Sequence, residues 1–175
     1  MVQPKVTAYF DFFKQVPLFQ GLTLEQIKSL MTLMTISEIK KGEMITREGE
    51  HGDSMFILLK GEVEISKSLV LKPLSADMSV KEKALIKLTE KQHAFFGEMA
   101  LFLEKPERTA SIRAIQSCLL AVIQKKDLHT FLNKDPLIGS IIYKNIAVEL
   151  THRLIKSNRD ILKLTTAFSL ALEGD

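Results

Sequence analysis

Four glycines, Gly42, Gly49, Gly52 and Gly61, cut residues 36–66 into short apolar pieces that read as strands rather than helix. Met55, Ile57 and Leu59 alternate with Phe56, Leu58 and Lys60. Val63 and Ile65 alternate with Glu62, Glu64 and Ser66, which makes one side dry and the other wet. Lys60-Gly61 falls between two such runs and predicts a tight hairpin turn. Further strand-like runs lie at 84–88, 110–114 and 119–123, and residues 67–82 read as a long, solvated loop. Many short strands with glycine at the corners imply a small sandwich or barrel.

Both ends of the chain are helical in character. Tyr9, Phe10, Phe12 and Phe13 form a short amphipathic stretch that Pro17 interrupts. Thr23 and Gln26 have the spacing of a capping box, and the apolar residues from Leu24 to Met34 predict a helix over 24–34. Lys126 and the residues up to Leu132 read as a short helix. Asp135-Pro136 is a helix start, aspartate as N-cap and proline where a missing N–H costs nothing. A long helix over about 136–170 should follow, since no Gly other than Gly139 and no Pro intervenes before Gly174. Tyr143, Ala147, Leu150, Leu154, Ser157, Ile161, Leu164 and Phe168 fall in steps of three and four, a heptad seam that favours pairing with a second copy. Ser157 is the one polar residue in that seam. The chain thus divides into an N-terminal helical segment 1–34, a β-rich body 35–124 and C-terminal helices 125–175.

Composition narrows the function classes. The 175 residues are 46% hydrophobic and 26% charged, as in a folded domain. A net charge of +3 is too small to argue for nucleic acid. One cysteine, Cys118, excludes an intrachain disulfide and a four-cysteine metal site within the chain. The apolar runs fall far short of the ~20 residues that span a bilayer, and the first residues lack a secretory h-region, so the expected location is the cytoplasm. His51, His93, His129 and His152 are scattered, and no nucleophile elbow or zinc-protease motif occurs, so neither an enzyme nor a metal cofactor is expected. A cupin-type metal barrel fails because His129 and His152 fall in predicted helices; a haem sensor would need His93 or Cys118 as axial ligand.

The densest chemical signal lies at 96–111. Phe96-Gly97-Glu98-Met99-Ala100-Leu101 permits a tight turn into a short helix, and Arg108-Thr109-Ala110 follows ten residues after the glutamate. Arginine grips phosphate through two parallel hydrogen bonds, and an ionised carboxylate accepts from a sugar hydroxyl. Together they ask for an anionic phosphate beside a ribose hydroxyl, although a lone Glu/Arg pair is more often a surface ion pair.

This stretch resembles the phosphate-binding cassette of the cyclic nucleotide-binding domain family. The resemblance extends in order through Pro17-Leu18-Phe19, Gly42, the run 49–63 and Lys125-Lys126-Asp127-Leu128, covering about residues 15–160. It implies a mainly β fold with flanking helices: an eight-stranded antiparallel, jelly-roll-like β-roll, N-terminal helices and a long C-terminal helix. It places Glu98 on the ribose 2′-hydroxyl with Gly97 supporting it, and the Ala100 and Leu101 N–H groups on the phosphate. Arg108 then neutralises that phosphate, with Thr109 at phosphate or base and Met99 and Ala110 beside them. Ile57, Leu59 and Leu85 are weaker candidates for an apolar wall. Aligning Thr151-His152-Arg153-Leu154 with the family's long helix puts Ser157 and Asn158 at the base, given one extra helical turn. Segment 90–96 departs from the family by lacking its usual glycine–aspartate pair.

The implied function is a cyclic nucleotide receiver, cyclic AMP first and cyclic GMP second, that signals through its long helix, without catalysis or cofactor. A relic pocket serving only protein interaction or dimerisation is the alternative. Only 18 residues follow Ser157, too few for a helix-turn-helix, so no DNA partner and no membrane are expected. A homodimer through the C-terminal helix is expected, with an unidentified protein effector as a further candidate partner.

Overall fold

The computed structural model describes residues 5–70, 80–105 and 107–173. A 3-10 turn at Val6–Tyr9, α1 at Phe10–Phe13 and a second 3-10 turn at Pro17–Phe19 lead into α2, Leu24–Met31. The capping box is made: the Gln26 N–H donates to Thr23 Oγ1 at 3.2 Å and the Thr23 N–H to Gln26 Oε1 at 2.8 Å. α2 ends three residues earlier than the periodicity predicted. Met34 satisfies helical spacing and strand alternation equally, and pairing with Ile123 draws it into a strand.

Eight strands follow among the described residues. They are β1 Met34–Ile39, β2 Met44–Thr46, β3 Ser54–Lys60, β4 Glu62–Val70, β5 Val80–Thr89, β6 Phe95–Phe96, β7 Ser111–Ala114 and β8 Cys118–Gln124. They pair antiparallel in two four-stranded sheets, ordered β1-β8-β3-β6 and β2-β7-β4-β5. This is the expected β-roll, with helices at both chain ends.

Two corrections follow from the pairing. Lys60-Gly61 is not a hairpin: β3 and β4 belong to different sheets, so Gly61 turns the corner of the roll. Its φ of +97° is left-handed, and an added Cβ would lie 2.6 Å from the Ser117 carbonyl oxygen. Residues 67–70 and 80–82 are strand rather than loop, paired from Glu62↔Thr89 out to Val70↔Val80. The rest of the expected loop, 71–79, lies outside the described residues.

Apolar residues fill two layers. Between the sheets lie Phe56, Leu58, Val63, Leu88, Phe96 and Leu120, with the Phe56 and Phe96 rings stacked at 5.4 Å. Behind the first sheet, Met55, Ile57, Leu59 and Ile123 meet Phe13, Leu30, Leu128 and Ile142 of the helices. The alternation along β3 therefore separates two dry faces as far as Leu59, and Lys60 at its end is exposed.

α3 runs Lys125–Lys134 and α4 Pro136–Glu173. Asp135 caps α4, its Oδ1 accepting from the Ile138 N–H at 3.1 Å. Ile138, Ile142 and Ile146 bury one face of α4, and Asn145 Nδ2 donates to the Leu18 and Gln20 carbonyls, both at 2.9 Å. Beyond the turn that carries Arg153 and Lys156 the described helix stands clear of the roll, with Ile161, Leu164 and Phe168 58–64% exposed. Among the described residues no helix is long and apolar enough to cross a membrane.

Gly61→Ala is expected to lower stability by more than about 1 kcal/mol, since it adds left-handed strain to a steric clash. A urea midpoint lower than that of the parent, at unchanged slope, checks this.

Candidate functional site

The Glu98–Leu101 stretch forms a 3-10 turn entered through Gly97 at φ 78°. Leu101 is 1% exposed and anchors the turn in the helix-side apolar layer, while Met99 stays on the outside. The Ala100 N–H closes the turn on the Gly97 carbonyl at 3.3 Å. The turn borders a cavity of about 150 Å³ between the sheets and α4. Ile65, Phe96 and Ile112 supply apolar lining; Glu98, Arg108 and Arg153 supply charge. Gly97, Met99, Ala100, Thr109 and Ala110 also line it, together with Thr46.

Arg108 is 8% exposed. Its Nη1 donates to the Ser54 carbonyl at 2.7 Å and its Nη2 to Ser54 Oγ at 2.9 Å, with the guanidinium 5.3 Å from the Phe56 ring centre. Its backbone is strapped to the 47–50 loop, donating to the Glu50 carbonyl at 2.8 Å and accepting from the Gly49 N–H at 2.9 Å. A Cβ on Gly52 would fall inside the guanidinium, so that position needs glycine for the arginine to pass. Burial lowers the Arg108 pKa, and the nearby Asp53 charge opposes that shift. An arginine stays charged through such a shift. Among the described residues no carboxylate stands within ion-pair distance of it.

Glu98, 2% exposed, is the opposite case. Its Oε1 accepts from Arg153 Nη1 at 2.8 Å. Arg153 also donates through Nη2 to the Phe95 carbonyl at 2.6 Å and through Nε to Glu149 Oε1 at 3.0 Å. Its guanidinium lies 5.5 Å from the Phe95 ring centre. Burial raises the Glu98 pKa; the Arg153 charge and hydrogen bonds pull the other way without cancelling it. The cavity therefore holds a buried cation bonded to neutral oxygens and a buried carboxylate tied to α4.

A family model described as the cyclic nucleotide-binding domain matches residues 36–135. The chain belongs to the cyclic nucleotide-binding domain family. It is 27% identical over 124 residues to the cAMP-dependent protein kinase regulatory subunit of Yarrowia lipolytica, covering 71% of this chain and 29% of that protein. It is 28% identical over 121 residues to human cGMP-dependent protein kinase 2, covering 69% of this chain and 15% of that protein. The fold is also similar to a cyclic nucleotide-binding domain from Methylobacillus flagellatus, with TM-score 0.78 at 22% identity over 91% of this chain and 86% of that one. The chain spans less than a third of the length of these curated relatives.

Within this cyclic nucleotide-binding domain the structure gathers Gly97, Glu98, Met99, Ala100, Arg108, Thr109 and Ala110 around one cavity. It does not bring every candidate there. Ser157 and Asn158 are exposed on α4 and outside the cavity lining; the α4 residue that reaches it is Arg153, one turn earlier. Ile57 and Leu59 face the helices and Leu85 is 56% exposed, so the apolar wall is Ile65, Phe96 and Ile112 instead. Thr109 Oγ1 sits 3.6 Å from Met99 Sδ at the cavity rim. Sequence reasoning missed Arg153 as a site residue, although its spacing of four from Glu149 marked an ion pair on one helical face. Ser54 as the partner of Arg108 carried no sequence signal.

Removing Arg153 leaves the Glu98 carboxylate buried without its counter-charge. Arg153→Ala should cost about 2 kcal/mol, less than a fully buried pair because Arg153 is one-third exposed. Urea denaturation should show the Glu98→Gln/Arg153→Ala double variant losing less than the sum of the single variants.

Proposed function

We propose that this chain is a cyclic nucleotide receiver, with the cyclic phosphate at Arg108 and the ribose 2′-hydroxyl donating to Glu98. The observation that carries this reading is the buried Arg108 guanidinium, with no carboxylate partner among the described residues, across one cavity from a buried carboxylate. A guanidinium held in place by Ser54 needs little reorganisation to take an anion, and a charge-assisted bidentate contact is strong in such surroundings. Cyclic AMP is the first choice. Cyclic GMP is the second, favoured by the Thr109 hydroxyl at the rim and by the cGMP-dependent kinase among the relatives.

Signalling follows from the Arg153 ion pair. A sugar hydroxyl that donates to Glu98 shares the carboxylate with Arg153, so occupancy of the cavity bears on the position of α4. The shift it drives is bounded by the ligand's differential affinity for the two helix positions. The receiver is non-catalytic and cytoplasmic in this reading, and hands its output to a partner protein or to a second copy. Ser157 and Asn158 serve the base once a second α4 lies alongside. The exposed seam of Leu154, Ile161, Leu164 and Phe168 provides for that pairing.

Calorimetric titration with cyclic AMP and cyclic GMP tests the ligand. Arg108→Ala, checked for folding by circular dichroism, should lose about 100-fold or more in affinity. Failure of both nucleotides to bind at millimolar dose, or equal binding by the variant, would sink the assignment. For the seam, light scattering should find a dimer, and Ile161→Glu with Leu164→Glu should return it to monomer without changing the melting of the roll.

A further inference from the structure

Arg153 borders a second cavity, of about 210 Å³, on its other side. One wall is the end of β5 and the 92–95 segment; the other is α4, and Pro17 closes an end. The floor is apolar, made by Ile86, Leu88 and Phe95. Charge arrives from α4 as Arg153, Lys156 and Glu149, with His152 beside them. Arg153 is already answered by Glu149 at 3.0 Å and by Glu98 at 2.8 Å, which leaves Lys156 as the lining cation with no ion pair among the described residues. His93 completes the opposite wall at φ 49°, the only non-glycine with positive φ among the described residues. It lies in the 92–95 segment, all four residues of which line the cavity.

A concave, half-open cleft with an apolar floor and a few convergent polar groups is a common form of small-molecule site. At about 30 Å³ per water, the volume displaces roughly seven waters, enough for one six-membered ring with a short substituent. The Lys156 ammonium on one rim, with His152 beside it, selects an anionic substituent.

We propose that this cavity binds a small organic monoanion, a flat apolar body carrying one carboxylate, with the ring over Leu88 and Phe95 and the charge between His152 and Lys156. Because Arg153 serves both cavities, an anion here draws its guanidinium from Glu98 and alters what Glu98 can accept. Coupling between two such ligands is reciprocal. That coupling rests on the nucleotide reading above; occupancy of the second cavity does not.

Benzoate is the probe, titrated into the full chain while amide shifts are followed by heteronuclear NMR. Saturable shifts centred on Leu88, Ala94 and Phe95 are expected, with benzyl alcohol much weaker. Lys156→Glu, on an exposed helical position, should weaken benzoate about fivefold or more. Shifts that grow linearly with dose, that centre elsewhere, or that ignore Lys156→Glu overturn the site. In a second arm, saturating benzoate should change cyclic AMP affinity about twofold or more; an unchanged affinity overturns the coupling. If cyclic AMP does not bind at all, the nucleotide reading has failed and the first arm still decides this cavity.

Discussion

From Met55 to Leu59, β3 has water on neither face, and the rest of the molecule is arranged around that constraint. Met55, Ile57 and Leu59 need a cover on one side, which the N-terminal turns, α3 and α4 supply; Phe56 and Leu58 need one on the other, which the second sheet supplies. The same strand begins at Ser54, whose carbonyl and hydroxyl hold Arg108, and passes Phe56 beneath the guanidinium. Core and candidate site thus share one strand. A buried charge can be held in place here because the strand that binds it is immobilised by packing on both sides.

The two buried charges of the site are treated differently. Arg108 is satisfied by neutral oxygens and keeps its charge available. Glu98 has its charge answered by Arg153, but burial still raises its pKa, so the pair does not fully offset desolvation. What the pair adds is a mechanical tie. It joins the 98–101 turn to the last turn of α4 that touches the roll, beyond which the helix stands exposed.

Much of this was legible along the chain where the signals are local. The Thr23/Gln26 box and the Asp135-Pro136 start depend on side chains reaching backbone groups three residues away, and both formed as read. The Gly97 to Ala110 motif was legible because a turn and the chain's return towards β7 bring its members together over a short contour. The errors fell where two local patterns were degenerate. Met34 fits helix and strand alike, and a glycine between two strands turns a hairpin or a corner depending on which partners the strands find.

Taken alone, the order of residues determined the glycine-bounded strands, the helix starts and the presence of a carboxylate and a guanidinium ten residues apart. Tertiary structure decided which charges meet: Arg153 lies 55 residues from Glu98, and Ser54 lies 54 from Arg108. No local periodicity encodes such distances, because they are set by how two sheets and a helix close on a common core. The same closure left Ser157 and Asn158 in solvent and put Arg153 in the cavity, since burial of Ile138, Ile142 and Ile146 sets the rotation of α4 against the roll.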